Sequence, residues 1–348
     1  MHLRTLRALL LALLAFAALG VTACGGDDEE SASTPAQTSE EAAGPKIKVG
    51  LVTDIGGLND RSFNALANAG LERAKAELGV ETRVLISKSN ADYVPNLTTL
   101  AQQKYDLIIP VGFLMAEATN TVASKFPDVD FAIVDFSVEG LKDKPKNVQG
   151  LLFKEQEAGY LAGYLAGLYA KDNDIDTISS VGGQKIPPVD KYIAGYQAGA
   201  KAANSGIKTL NGYSQDFVDQ GKCKELALSQ IERGSKVVFQ VAGQCGLGAL
   251  DAAKQEQAQG IGVDADQSFL GDHILTSAMK KIDVAVFEAV KSVQDGAFAG
   301  GSDKLFEVKN EGVDIGKTNA EGSKYADQVE EVKQQLAAGE IDVPEEVK

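Results

Sequence analysis

Residues 106–135 read DLIIPVGFLMAEATNTVASKFPDVDFAIVD, and this stretch decides the fold class. Two apolar runs without alternation, at 107–111 and 131–134, flank a segment at 116–126 whose apolar residues recur at helical spacing. Unbroken apolar strands are typical of a sheet that is covered on both faces, and strand–helix–strand order is typical of a right-handed crossover unit. The stretch therefore predicts an α/β fold with a parallel sheet.

The same alternation continues on both sides of this stretch. Earlier strands are expected near 47–52 and 83–87, each followed by a helix. A polar break, KDKPK at 142–146, precedes a second series of predicted strands at 148–153, 177–181, 209–213, 236–241, 260–263, 274–277 and 304–308. Two such series predict two Rossmann-like lobes around a cleft.

The first 24 residues, MHLRTLRALLLALLAFAALGVTAC, have the pattern of a secretory leader. Arg4 and Arg7 precede an apolar run that is too short to span a bilayer. The residues Val21-Thr22-Ala23-Cys24 are typical of a bacterial lipobox, so we expect a signal peptide at 1–23 and a diacylated Cys24. The alternatives are an ordinary signal peptide with an incidental cysteine, or an uncleaved anchor.

The segment that follows, GGDDEESASTPAQTSEEAAGP at 25–45, is acidic and lacks large apolar side chains. Such a composition buries too little apolar surface to fold, so residues 24–45 are expected to form a lipidated, disordered tether. With no other segment long and apolar enough to span a bilayer, the sequence predicts a protein that is lipid-anchored on the extracytoplasmic face of a bacterial membrane.

The charge balance and the scarcity of some residue types exclude several functions. The chain has 49 acidic and 34 basic residues, two His and three Cys, and a formal net charge of −15. This acidity argues against nucleic-acid binding, and so few His and Cys argue against a zinc site. No nucleophile elbow or Walker sequence is present, and His273 has no evident catalytic partner. We expect a binding protein without catalytic residues, metal or cofactor.

Candidate ligand contacts follow the predicted strands, because ligands of open α/β sheets bind at the carboxyl ends of the strands. Carboxylates accept hydrogen bonds from vicinal hydroxyls, and Phe rings stack on planar bases, so these residues together suit a neutral polyhydroxylated ligand with a flat face. Any one of them could instead be a helix cap, a turn former or a core residue. The candidates are Asp54, Phe63, Gly112, Phe113, Asp135, Phe239, Asp264 and Asp266.

Cys223 and Cys245 remain after Cys24 is assigned to the lipobox. The extracytoplasmic setting permits a disulfide between them, and a helix start and the end of the next strand can lie at the same end of a sheet. The alternative is two buried free thiols.

Several segments together resemble the basic membrane protein family of lipoproteins, which are substrate-binding proteins of ABC transporters. The resemblance covers 47–344, and it rests on VTDIGGLNDRSFN at 52–64, ADYVPNL at 91–97, VFQVAG at 238–243, IGVDADQ at 261–267, TSAMKK at 276–281 and GEIDVP at 339–344. The family is similar to the type I periplasmic binding proteins, which implies two lobes joined by three crossovers. We expect an N-lobe at 46–147 plus about 271–300, and a C-lobe at 148–270 plus about 301–348.

The resemblance also implies roles for individual residues in the cleft. Phe63 and Phe239 would sandwich a purine ring, and Asp135 would bond the edge of the base. Asp266 and Lys280 would hold the ribose hydroxyls. The other implied cleft residues are Asp54, Asn64 and Gly243, the last of which would let the sugar approach the backbone.

The sequence departs from the family pattern after Gly243, where Gln244 and Cys245 stand in place of the usual glycine. This departure suggests a Cys223–Cys245 disulfide that is particular to this branch.

The function implied by the resemblance is the binding of a nucleoside, expected to be a purine nucleoside, by a monomer that delivers it to an ABC permease and its ATPase subunits. Three alternatives stay open at the level of sequence. They are a sugar or autoinducer receptor on the same fold, an extracytoplasmic calcium-dependent nucleoside hydrolase, and a surface adhesin or sensor.

Overall fold

The computed structural model describes residues 46–347. The predicted signal peptide, the lipidated Cys24 and the acidic tether lie outside the described residues. Within 46–347, no helix has both the length and the apolar character that a membrane crossing requires.

Twelve strands lie within the described residues, and most alternate with helices along the chain. They are β1 (Lys48–Val52), β2 (Glu81–Leu85), β3 (Leu107–Pro110), β4 (Asp130–Val134), β5 (Val148–Phe153), β6 (Thr177–Gly182), β7 (Lys208–Tyr213), β8 (Val237–Val241), β9 (Gln259–Asp264), β10 (Ile274–Lys280), β11 (Ser302–Phe306) and β12 (Val313–Ile315).

Nine α-helices accompany these strands in the described part of the chain. They are α1 (Phe63–Leu78), α2 (Tyr93–Gln102), α3 (Ala116–Lys125), α4 (Glu155–Asp172), α5 (Pro187–Ala203), α6 (Gln220–Glu232), α7 (Gly243–Gln255), α8 (Ile282–Gln294) and α9 (Ala326–Ala337).

The strands form two six-stranded sheets, which confirms the prediction of two α/β lobes. The N-lobe sheet has the order β11-β5-β4-β3-β1-β2, and all its strands are parallel. The C-lobe sheet has the order β12-β10-β9-β8-β6-β7. It is parallel except for β12, which pairs antiparallel with β10 at the edge. Parallel sheets were expected throughout, and this short edge strand corrects that expectation.

The central strands are buried on both faces, as the unbroken apolar runs predict. All residues of β3 and β8 are buried, whereas the edge strands β2 and β7 have no buried residue. Helices therefore cover both faces of each sheet, and the carboxyl ends of the central strands are the part of each sheet left free to form a site.

The chain passes between the lobes three times, and these crossovers do not lie where the sequence placed them. They fall between β5 and α4, between β10 and α8, and directly after β11. Strand β5 was expected in the C-lobe but pairs with β4, and β11 was expected there but pairs with β5. Strand β10 was expected in the N-lobe but pairs with β9. The polar break at 142–146 lies in the β4–β5 loop and marks no lobe boundary, because strand pairing continues across it.

Helices α4 and α5 of the C-lobe pack in backbone contact through glycine. Gly159, Gly163 and Gly167 of α4 face the carbonyl groups of Tyr192, Tyr196 and Ala200 of α5. A β-carbon at any of the three glycines would overlap with the facing carbonyl oxygen. Backbone atoms cannot move aside as a flexible side chain can, so the two helices fit only with hydrogen at these positions.

We expect Gly163→Ala to lower the free energy of unfolding by about 2 kcal/mol or more, since overpacking a close contact forces backbone shifts. Chemical denaturation measures the change. Gly206→Ala is the matched control, because a β-carbon there meets only a side-chain oxygen at 3.7 Å. Equal stability of the two variants would contradict the packing described for Gly163.

Candidate functional site

A cavity lies between the two lobes, at the carboxyl ends of strands from both sheets. The volume that the centre of a water molecule can occupy inside it is about 70 Å³, and the total space between atoms, which includes open solvent at the mouth of the cleft, is about 610 Å³. The lining residues are Asp54, Ile55, Asp60, Phe63, Asn64, Gly112, Phe113, Asp135, Ile186, Pro188, Val189, Tyr192, Phe217, Val241, Gly243, Gln244, Val263, Asp264 and Lys280.

Most of the residues that the sequence singled out for the cleft are brought together here. Those that line the cavity are Asp54, Phe63, Asn64, Gly112, Phe113, Asp135, Gly243, Asp264 and Lys280. Two do not line it, namely Phe239 and Asp266. What each of the lining residues does toward a ligand remains a prediction.

Phe239 lies in the C-lobe core and not in the cavity. It is the middle residue of β8 and is fully buried, with its ring 5.0 Å from that of Tyr196 and 6.1 Å from that of Tyr192. A strand reaches the cleft only with the residues at and beyond its carboxyl end. On this strand those residues are Val241, Gly243 and Gln244, which line the cavity.

The acid that enters the cavity from β9 is Asp264, and the assignment to Asp266 is corrected. Asp264 is the last residue of β9 and is buried against the cavity. Two residues later the chain has already turned away, and one carboxylate oxygen of Asp266 accepts the backbone N–H of Ser268 at 3.1 Å. Asp266 therefore stabilises the turn that follows the strand.

The C-lobe supplies two aromatic side chains to the cavity that the sequence interpretation missed. Phe217 lies in the loop between β7 and α6, and Tyr192 projects from α5. The signal for Phe217 was available, since the segment SQDFVD at 214–219 directly follows a predicted strand. Tyr192 gives no such signal, because it sits within an amphipathic helix where a buried tyrosine is ordinary.

Asp135 and Asp264 occupy matching positions in the two lobes. Asp135 directly follows β4, Asp264 ends β9, and these are the equivalent strands of the two sheets. Both residues have left-handed backbone, with φ of 66° and 60°. Aspartate tolerates this conformation better than most residues. The two lobes thus present one carboxylate each from the same kind of strand end.

Lys280 joins the lobes at the floor of the cavity. Its ammonium donates hydrogen bonds to both carboxylate oxygens of Asp135, at 3.0 and 2.8 Å, and to Glu155 at 3.2 Å. Lys280 ends β10, Asp135 belongs to the N-lobe, and Glu155 begins α4 just after the first crossover. The side chains of all three are at most 4% exposed. This buried cluster of Lys280, Asp135 and Glu155, here called the floor triad, ties the lobes where the chain crosses.

Burial and charge pairing in and beside the floor triad shift the pKa values of Lys280, Glu155 and Asp264. Burial alone would lower the pKa of Lys280, but the carboxylates of Asp135, Glu155 and Asp264 more than offset it and raise that pKa. Burial raises the pKa of Glu155 to about 7 and that of Asp264 to about 6, although Lys280 opposes both shifts. The ammonium also lies 5.1 Å from the ring centroid of Phe63, within range of a cation–π contact.

The N-lobe side of the cavity is built around Asp54 and Asp60. Asp54 lies two residues after the end of β1, and the hydroxyl of Tyr93 donates a hydrogen bond to its carboxylate. Burial raises the pKa of Asp54 to about 6, and this hydrogen bond opposes the shift. Asp60 accepts the backbone N–H groups of Ser62 at 3.1 Å and Asn64 at 2.7 Å, so it fixes the start of α1. That start carries Phe63 into the cavity.

The lobes also touch beside the cavity. The side-chain amide of Gln267 donates to the carbonyl of Arg61 at 3.5 Å, and the Arg61 guanidinium lies 5.9 Å from the ring of Phe269. Arg61 belongs to the N-lobe and the other two residues to the C-lobe. The described conformation therefore has the lobes in contact here as well as through the floor triad.

Comparison with known proteins agrees with this two-lobed site. A family model described as Bmp, ABC transporter substrate-binding protein PnrA-like, matches residues 47–347. The chain belongs to this family. The Bmp family consists of substrate-binding proteins, so this chain is an ABC transporter substrate-binding protein, and the family resemblance seen in the sequence is confirmed.

Individual relatives of this Bmp-family chain agree with that assignment. The ABC transporter nucleoside-binding protein BmpA of Lactococcus lactis subsp. cremoris is 34% identical, over 97% of this chain and 99% of that protein. A lipoprotein of Pyrococcus abyssi is 37% identical, over 76% of this chain and 68% of that protein. The crystal structure of an ABC transporter solute-binding protein from Aeropyrum pernix K1 superposes with a TM-score of 0.77 at 28% identity, covering 86% of this chain and 94% of that one.

Proposed function

We propose that this protein binds a purine nucleoside in the interlobe cavity and delivers it to an ABC permease. The observation that carries the proposal is the pairing of aromatic and acidic side chains from both lobes around one cavity. Phe63 comes from the N-lobe and Phe217 from the C-lobe, so a planar base has a ring available from each lobe. Stacking on such rings contributes about 1–3 kcal/mol per base.

The polar groups of the cavity suit the rest of a nucleoside. Asp135 and Asp264 approach from opposite lobes, and carboxylates accept hydrogen bonds from sugar hydroxyls or base N–H groups. The Lys280 ammonium is already paired with two carboxylates, so it offers little attraction to a phosphate. Since the positive charge of Lys280 is already neutralised, an unphosphorylated nucleoside suits the charge of this cavity better than a nucleotide does. The nucleoside-binding name of the Lactococcus relative points the same way.

The sequence and the names of the relatives also support a site of action at the membrane. The lipobox at 21–24 and the relatives named lipoproteins support a lipid anchor at Cys24 on the extracytoplasmic face of the membrane. The protein would work there as a monomer, releasing its ligand to a permease driven by ATPase subunits. Closure around the ligand stabilises the form that the permease receives.

Isothermal titration calorimetry of the purified protein tests the proposal with adenosine, guanosine, inosine, uridine and free ribose. We expect binding of at least one purine nucleoside and much weaker binding of ribose. Tight binding of ribose with no nucleoside binding would overturn it in favour of a sugar receptor. Release of free base from a bound nucleoside, abolished by a calcium chelator, would overturn it in favour of a hydrolase.

Phe217→Ala is expected to weaken purine nucleoside binding about tenfold or more, because it removes the stacking surface of the C-lobe. Calorimetry with the best ligand measures the loss. Phe126→Ala is the matched control, since Phe126 is also partly buried but directly follows α3, away from the cavity. An affinity equal to that of the parent in Phe217→Ala would count against the stacking role.

A further inference from the structure

The disulfide of this chain lies beside the loop that carries Phe217. Cys223 and Cys245 are bonded, with their Cα atoms 5.5 Å apart, and both are fully buried. Cys223 is in the first turn of α6 and Cys245 in the first turn of α7. Gly243 and Gln244, which line the cavity, directly precede Cys245. The bond therefore joins two helix starts that border the ligand space.

The loop at 214–219 is held from two directions. At its start, the N–H groups of Ser214 and Gln215 donate to the carbonyls of Gly182 and Gly183, at 2.9 and 3.0 Å, and so fix it to the end of β6. At Phe217 the carbonyl accepts the backbone N–H of Cys245 at 3.0 Å. The backbone of the ring-bearing residue is thus bonded to a residue of the disulfide itself.

The contacts around Phe217 leave its ring little room to move toward the C-lobe sheet. A β-carbon at Gly183 would overlap with the Phe217 ring, so the ring lies directly on the backbone that follows β6. A β-carbon at Gly243 would be 3.5 Å from the Phe217 carbonyl oxygen, and one at Gly56 of the N-lobe 3.9 Å. Phe217 therefore lies where the start of α7 and the opposite lobe meet, and a shift of α7 would displace it.

We propose that the Cys223–Cys245 disulfide positions Phe217 for ligand binding. The bond fixes the start of α7 against α6, the Cys245 N–H then fixes the Phe217 carbonyl, and the ring is held at the cavity before any ligand arrives. Pre-organisation of this kind strengthens binding because less ordering remains to be done in the complex. The inference rests on the proposed function, in which the flat face of a base lies against Phe217.

A disulfide also stabilises a fold in general, so the experiment must separate affinity from stability. Calorimetry with the best-binding purine nucleoside is run on the parent, Cys223→Ala/Cys245→Ala, Phe217→Ala and the triple variant. We expect the cysteine pair to weaken binding about fivefold in the parent and less than twofold when Phe217 is absent. An equal loss in both backgrounds, or no loss in either, would overturn the proposal.

Two further measurements exclude a merely structural effect. Ile231 lies on the same helix α6, about two turns beyond Cys223. Ile231→Ala should therefore lower the melting temperature with no change in nucleoside affinity. If the cysteine variant does not fold, the parent unfolded, reduced with a phosphine and refolded with both thiols kept reduced takes its place. Loss of affinity in Ile231→Ala as large as that in the cysteine pair would contradict a positioning role.

Amide hydrogen exchange without ligand separates this inference from the proposed function. We expect faster exchange at Cys245 and across 214–219 when the disulfide is absent, while α4 stays protected. If the parent binds no nucleoside, the proposed function fails, and the exchange result still decides whether the disulfide holds the loop. Unchanged exchange at 214–219 would overturn the positioning of Phe217.

Discussion

Replacing Lys280 with Met is expected to lower the free energy of unfolding by about 3–5 kcal/mol, which is the usual cost of removing one partner from a buried ion pair. The reason is that Asp135 and Glu155 would lose the ammonium that lies within 3.2 Å of both while staying out of contact with water. Urea denaturation of the parent and the variant measures the difference. The same variant should lose nucleoside binding, because the floor of the cavity would carry unpaired carboxylates.

Two controls make the Lys280 prediction specific. Lys304→Met breaks the Lys304–Glu288 pair, whose side chains are 43% and 41% exposed, and should change stability by less than about 1 kcal/mol. Adding Asp135→Asn and Glu155→Gln to Lys280→Met should recover much of the stability, since no uncompensated charge is then buried. A loss as small for Lys280→Met as for Lys304→Met would show that the floor triad does not stabilise the fold.

The second large effect is a pH dependence that originates at Asp54. Burial raises the pKa of Asp54 from 3.8 to about 6, so the folded protein binds this proton more tightly than the unfolded chain does. The resulting stabilisation is complete below about pH 4 and is lost as the pH rises through about 6. Two pKa units correspond to about 3 kcal/mol, and Asp54→Asn removes this dependence. The stability of the parent relative to Asp54→Asn should therefore fall by about 2 kcal/mol from pH 4 to pH 8, because pH 4 already lies slightly above the ordinary pKa of 3.8.

Denaturation of the parent and Asp54→Asn at pH 4, 6 and 8, and of the parent and Asp216→Asn at pH 2, 3 and 4, tests these differences directly. Asp216→Asn provides a control of opposite sign. The ammonium of Lys222 and the backbone N–H groups of Asp219 and Val218 lower the pKa of Asp216 to about 2. The stability of the parent relative to Asp216→Asn should therefore rise as the pH increases from about 2 to 4. A stability difference for Asp54→Asn that does not change with pH would contradict the burial described for that carboxyl.

The fold class was readable from the sequence because the signal is local. An unbroken apolar run such as that at 107–111 predicts a strand that is buried on both faces of the sheet. The order of strands and helices along the chain then implies that the strands pair in parallel. Lobe membership is not local in this sense. Whether β5 joins β4 or a strand of the other sheet depends on contacts that its own six residues do not encode. The three-residue strand β12 is too short to show a period, and so its antiparallel pairing was missed.

In the candidate site, too, the residues that local sequence signals identify were predicted, and those that depend on the folded backbone were not. Asp54 and Asp135 lie within two residues of strand ends, and strand ends converge wherever the fold is an open α/β sheet. The choice between Asp264 and Asp266 depends on one left-handed backbone angle, which the sequence DAD leaves open. Phe239 looked suitable because it lies near the end of a predicted strand and because the family motif that contains it ends at the cleft. Its own position within the strand turns the ring toward Tyr196, whereas Phe217 reaches the cavity from a polar loop.

The glycine contact between α4 and α5 determines how the protein can open. Domain motions by shear need packed helices that slide past one another by small side-chain adjustments, whereas hinge motions confine the change to a few connecting residues. At Gly159, Gly163 and Gly167, helix α4 meets the backbone of α5, which cannot adjust as a flexible side chain can. Spin labels on α4 and α5 should therefore keep a constant separation when ligand is added, while a pair spanning the cleft should change its separation as one rigid lobe swings about the crossovers.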